Sequence, residues 1–156
     1  MANLEVVVAF DDDNTPQVQE RQVWAAADVV EGISYKPGQE NAIDPISIAI
    51  IATAAIAVGR FVIRWIDSVR GGTVIDVSVS PPVVRRDKGL PYLFFVVIAK
   101  DGKVTVDAKD EPKDAITTMI GDIFGKVLGG SAAEVKKIVD KAIGEGKGEI
   151  GEPQQT

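Results

Sequence analysis

The stretch Asp44-Pro45-Ile46-Ser47-Ile48-Ala49-Ile50-Ile51-Ala52-Thr53-Ala54-Ala55-Ile56-Ala57-Val58-Gly59-Arg60-Phe61-Val62-Ile63-Arg64-Trp65-Ile66-Asp67-Ser68-Val69 decides how this chain is read. Asp44 can cap a helix and Pro45 suits its first turn, where a missing N–H costs nothing. One unusually apolar helix over 46–69 is therefore expected. On a wheel of about 100° per residue its halves differ. Val58, Val62, Trp65, Ile66 and Val69 share a side opposite Arg60, Arg64 and Asp67, and that half can lie on a sheet in water. Ile46 to Val58 is apolar all round and needs cover on every side, from the domain itself, a neighbouring subunit or lipid.

Length discriminates among these covers. The uncharged run 46–59 reaches about 21 Å as a helix, short of a hydrocarbon core of about 30 Å. Extending it to Ile66 gives roughly enough length, but Arg60 and Arg64 would then have to snorkel. Cover by protein is the preferred expectation, and membrane insertion of 46–66 is the alternative. Met1-Ala-Asn-Leu-Glu lacks the basic start and apolar run of a secretory signal. A cytoplasmic location is expected, with a peripheral or inserted membrane form as the alternative.

On the N-terminal side, Leu4, Val6, Val8 and Phe10 alternate as a strand with one apolar face. Asp11-Asp12-Asp13 ends that strand. Thr15-Pro16 opens a helix running to about Glu31, and a short strand follows at Ile33 to Tyr35. An EF-hand loop beginning at Asp11 would need Gly where Pro16 stands and Glu where Gln22 stands, so the acidic run reads as a solvated turn.

On the C-terminal side, Arg70-Gly71-Gly72 stops the helix and Thr73 to Ser80 alternates as a half-buried strand. Residues 81–91 read as a loop carrying Arg85, Arg86 and Lys88, a candidate contact for an anionic partner. Tyr92 to Ala99 is apolar on both faces, the mark of a central strand. Asp101-Gly102 is expected to turn a hairpin into Val104-Thr105-Val106. A helix after Pro112 carries Gly121, Gly125 and Gly129 at intervals of four, a spacing that lets helix backbones approach closely. Ser131-Ala132-Ala133-Glu134 is a capping box opening a second amphipathic helix, so the two form a C-terminal pair. Residues 144–156 have the glycine-rich polar composition of a flexible tail.

The 156 residues suit one domain, here 1–143, long enough to bury a core without disulfides or metal. The expected fold is α+β: a small, mostly antiparallel sheet of about four strands packed with the apolar central helix, plus the C-terminal helix pair. Cysteine and histidine are both absent, which removes thiol nucleophiles, imidazole bases and ordinary zinc chemistry. No constellation of acids or lysines stands out as catalytic. The expectation is a protein that is not an enzyme and carries no cofactor or metal. Net charge is −6, distributed as 2 basic against 9 acidic residues over 1–45, 7 against 3 over 46–100 and 8 against 11 over 101–156. Such acidity argues against general nucleic-acid binding, which needs a dense basic face.

The order of elements resembles the effector-associated constant components, small bacterial conflict-system proteins that accompany variable effectors such as peptidases. The likeness rests on the strand Leu4 to Phe10, the helix ending Arg64-Trp65-Ile66 with Arg70 beyond, the next strand, the hairpin through Gly102 and Val104 to Val106, and the helix after Pro112. It covers most of residues 4–128, while the Pro81-Pro82 loop and the helix from Ser131 depart from it. The family brings no catalytic residues. The resemblance implies an accessory role in bacterial defence. Together with the uncovered apolar helix it predicts a non-enzymatic scaffold that binds copies of itself or an effector. The expected contact residues are Ile46, Ile50, Ile51, Ala54, Ala57, Phe61, Trp65, Gly121 and Gly125.

Overall fold

A computed structural model describes residues 3–9, 16–35, 47–67, 71–144 and 148–151, without the side chains of 16–21 and 35. The elements in chain order are β1 (Leu4–Ala9), α1 (Pro16–Asp28), β2 (Ile33–Tyr35), β3 (Ser47–Ala52), α2 (Ala55–Ile66), β4 (Gly72–Asp76), β5 (Val83–Asp87), β6 (Phe94–Ala99), β7 (Gly102–Asp107), α3 (Lys113–Lys126), α4 (Ala132–Ile143) and β8 (Gly148–Gly151). The class is α+β, but the expected four-stranded sheet is overturned. One mixed sheet of eight strands runs in the order β2-β3-β1-β5-β4-β6-β7-β8. β1 lies parallel to β5 and β4 parallel to β6, and the other neighbours are antiparallel.

The expected helix over 46–69 is the largest correction. Its first half is β3, then Thr53 and Ala54 form a bend, and a helix of 12 residues follows. Ala54 has extended angles, φ −152 and ψ 153, which end the strand and precede the helix without a side-chain cap. A short apolar run without polar alternation serves a buried strand as well as a buried helix. Here the β-branched isoleucines Ile48 and Ile50, paired against Val8 and Val6 of β1, decide for the strand. Thr53 N–H donates to the Gly32 carbonyl at 2.9 Å, holding the bend to the turn that leads into β2. The expected residue Ile46 lies outside the described residues.

Three further corrections enlarge the sheet. The segment read as a loop over 81–91 contains β5, whose Val84 and Arg86 point one way while Val83, Arg85 and Asp87 point the other. The segment read as a tail contains β8, paired to β7. In the β6–β7 hairpin, Gly102 is not a turn residue: it pairs with Ala99, which leaves Lys100 and Asp101 as the turn. Asp101 then accepts a hydrogen bond from Ala132 N–H at 2.8 Å, joining the hairpin tip to the start of α4. The Ser131–Glu134 capping box forms as the sequence indicates.

The four helices pack in the order α1-α2-α3-α4 as one layer. They cover the sheet face formed by Val6, Val8, Ile48, Ile50, Ile75, Val84, Phe95, Val97, Val104 and Val106, all fully buried. α2 fits this layer through Ala57, Val58, Phe61, Val62, Trp65 and Ile66, the pairwise stripe of an amphipathic helix. Phe61 and Trp65 stack within it, with ring centroids 6.5 Å apart.

The closest approach in the layer is between α2 and α3. A Cβ on Gly59 would collide with the Thr117 carbonyl oxygen and lie 3.1 Å from Gly121 N, while one on Gly121 would meet Ile56 Cα at 3.1 Å. The glycine spacing read from the sequence thus serves helix packing within one chain. Gly59→Ala is expected to cost about 1–3 kcal/mol through backbone collision, read as a lower urea midpoint. Gly125→Ala, which meets only the Ala55 methyl at 3.1 Å, should be close to neutral because alanine's gain of about 1 kcal/mol in helix propensity offsets the contact.

Candidate interaction surface

Side chains alternate across a pleated strand, so the set opposite the helices lines a second face. Registers place it in two long rows. Ala49, Val7, Val83, Asp76, Ile98 and Lys103 follow one another across β3, β1, β5, β4, β6 and β7. One pleat along, Ser47, Ala9, Arg85, Val74, Val96 and Thr105 form the next row. Glu5 and Ile51 flank the first row, and Phe94 follows Val96 beyond the second. No described helix covers this face. Val7, Ala9, Ile51, Val83, Phe94, Val96 and Ile98 are half-buried, whereas their helix-side neighbours are sealed.

The contact residues expected from the sequence do not gather on one surface. Ile50, Ala57, Phe61 and Trp65 are buried in the core, so another chain cannot reach them in the folded protein. Ile51 lies on the uncovered sheet face and Ala54 is exposed at the bend before α2. Gly121 and Gly125 face the first turns of α2. The basic trio is also divided, because strand alternation sends Arg85 to the uncovered face and Arg86, only 9% exposed, beneath the helices. Lys88 sits in the exposed turn after β5. Reading 81–91 as a loop concealed that division.

One polar cluster joins residues far apart in sequence. Asp67, just beyond α2, accepts hydrogen bonds from Tyr92 Oη at 2.5 Å and Lys113 Nζ at 2.8 Å. Leu93, with φ 63, turns its own side chain into the core while Tyr92 stays outside to reach Asp67. Partial burial pushes the Asp67 carboxyl up, but the hydrogen bonds from Lys113 and Tyr92 and the charges of Lys113 and Arg64 outweigh it, leaving its pKa below the ordinary value. The hydrogen bond to Asp67 raises the pKa of Tyr92 and of Lys113 alike. Both partners therefore hold their protons more firmly, the opposite of what a base or nucleophile needs. The cluster is a clasp between the end of α2, the approach to β6 and the start of α3.

Two arginines, Arg60 and Arg64, border an open groove of about 440 Å³ with Val29, Val30, Glu31, Ile63 and Thr117. Among the described residues there is no group of three potential metal ligands, and no helix is long and apolar enough to cross a membrane.

The clasp makes stability depend on acid. With its folded-state pKa below the ordinary 3.8, Asp67 contributes fully well above that value and loses its contribution as pH falls through the depressed one. Asp67→Asn should lower the urea midpoint near neutral pH and flatten its decline on acidification below pH 3.8. An unchanged acid limb would show that the clasp does not form in solution. No protein-family model, no curated protein and no solved structure matches this chain.

Proposed function

We propose that this chain is a non-enzymatic interaction module that docks another protein on the uncovered face of its sheet. The observation that carries the reading is β6, in the inner part of the sheet, whose Phe94, Val96 and Ile98 side is apolar but lies under no described helix. A strand apolar on both faces is the pattern of a sheet covered on both sides. One cover is the helix layer, and a partner is the natural second. Val7 and Val83 carry the apolar side chains toward the centre of the sheet, where the charges of Arg85 and Asp76 stand among them over a sealed Val74, and Glu5 and Lys103 lie farther out.

Of the segment first expected to dock, only the outward side of β3, with Ser47, Ala49 and Ile51, belongs to this face. Residues 47–66 form a strand, a bend and a short helix already sealed on its inner side, so the single long helix on which membrane insertion depended is not formed. An accessory or scaffold role, in bacterial defence alongside an effector, agrees with the resemblance in element order. It is supported by the Asp67 cluster, which among the described residues is a structural clasp.

The double substitution Val96→Lys/Ile98→Lys tests the surface. The far-UV spectrum and unfolding midpoint should stay near those of the wild type, because both side chains point away from the helices. Protein association, followed by light scattering after size exclusion, should disappear. Association that survives both charges would place docking elsewhere and overturn the reading.

A further inference from the structure

We infer that the occupant of the uncovered face is a second copy of this chain, docked sheet on sheet about a two-fold axis that runs along the strands between β5 and β4. The inference rests on the docking reading above. The axis position follows from strand order: four strands, β2-β3-β1-β5, lie on one side and four, β4-β6-β7-β8, on the other. Such an axis places β5 over β4 of the partner, β1 over β6 and β3 over β7.

The two long rows then meet their counterparts in complementary fashion. Val7 faces Ile98 of the partner subunit, and Ala9 faces Val96 of the partner subunit, small against larger. Arg85, one pleat from Val83, comes beside the carboxylate of the partner's Asp76, because Val83 and Asp76 share a row. Glu5, one pleat before Val7, meets the partner's Lys100, which continues the line of β6 beyond Ile98, with Lys103 on the adjoining strand. Both relations occur twice by symmetry, since a two-fold interface is self-complementary. Among the described residues neither the Arg85 guanidinium nor the Lys100 ammonium has a hydrogen bond or ion pair within its own chain, while the Lys100 N–H donates to the Gly130 carbonyl at 3.3 Å.

The area is also adequate. Six strands of five or six residues, some 17–20 Å long and about 4.8 Å apart, with the shorter edge strands β2 and β8 beside them, present a flat footprint of about 600 Å² before side-chain relief is added. A stable interface needs about 800 Å² of accessible surface per partner, roughly a tenth of a small protein's total. Packed sheets lie about 10 Å apart with strand directions within about 30°, which brings long side chains such as Arg85 within reach of the facing copy.

The chain contains no cysteine, which permits a position-specific test on the intact 156-residue chain. In Val7→Cys/Ile98→Cys the two thiols of one chain are three strand spacings apart, about 14 Å, too far for a short bismaleimide to bridge. Across the proposed axis they face each other. The double variant should therefore give a covalent dimer through 7–98 links, and each single variant should give little. Light scattering on the uncross-linked wild type should report twice 16.6 kDa. Arg85→Asp should weaken dimerisation at least tenfold, and Arg85→Asp with Asp76→Arg should restore most of it, the signature of a direct charge contact. A monomeric wild type, or a dimer that gives no 7–98 links, overturns the second-copy assignment. If that monomer binds a different protein and Val96→Lys/Ile98→Lys abolishes the binding, the docking reading stands while this inference falls.

Discussion

The backbone contact between α2 and α3 at Gly59 and Gly121 is the constraint on which the helix layer depends. The Thr117 carbonyl occupies the space that any side chain at position 59 would need. With the two axes drawn this close, α2 and α3 reach the sheet together and Phe61, Phe124, Met119 and Ile120 share one core. A glycine inside a helix costs about 1 kcal/mol relative to alanine. Packing over the centre of the sheet is what offsets that cost.

How legible each element was depended on whether its signal was local. The opening strand and the Ser131–Glu134 capping box follow from a few adjacent residues, and both form where the sequence places them. The run 47–52 was misread because isoleucine and alanine without polar interruption satisfy both periodicities, and the partner that selects the strand, β1, lies some 40 residues earlier. β5 was missed because arginine and aspartate at its alternate positions resemble a loop, although Val84 and Arg86 turn inward together. β8 is hidden by its glycines, one of which is needed: a Cβ on Gly148 would press on Val139 and Val104 at 3.1 and 3.2 Å. The Asp67 clasp spans separations of 25 and 46 residues, beyond any motif. Sheet size is hard to read for related reasons, since β3 and β8 pair with β1 and β7 some 40 residues away, whereas β5 has its longer pairing with the nearby β4 and is concealed by its charges instead.

The sheet face that no described helix covers is a subtler case. Phe94, Val96 and Ile98 were visible in the sequence as the second apolar side of a central strand. The step that was out of reach was which side the helices would occupy. That outcome needs four amphipathic elements to arrive on the same face, and each of them is compatible with either face when considered alone. The glycine spacing at 121 and 125 was likewise visible, but its partner helix was not.

Strand β5 is inserted late into a gap that earlier strands leave open. β1 and β4 are both made before it, and β5 alone joins the group β2-β3-β1 to the group β4-β6-β7-β8, meeting β1 over just three paired residues. Above the sheet α2 meets β2 and β3 while α4 meets β6, β7 and β8, and the α2–α3 contact spans between them. The molecule is thus two halves sewn by a short parallel seam below and a glycine contact above. A breathing motion that parts the halves breaks fewer strand pairings than one through β1–β3 or β6–β7, each six residues long. The shortest ladder inside the sheet is therefore bridged by the closest contact in the helix layer, so parting the halves would also have to separate the Gly59–Gly121 approach and the core that α2 and α3 share.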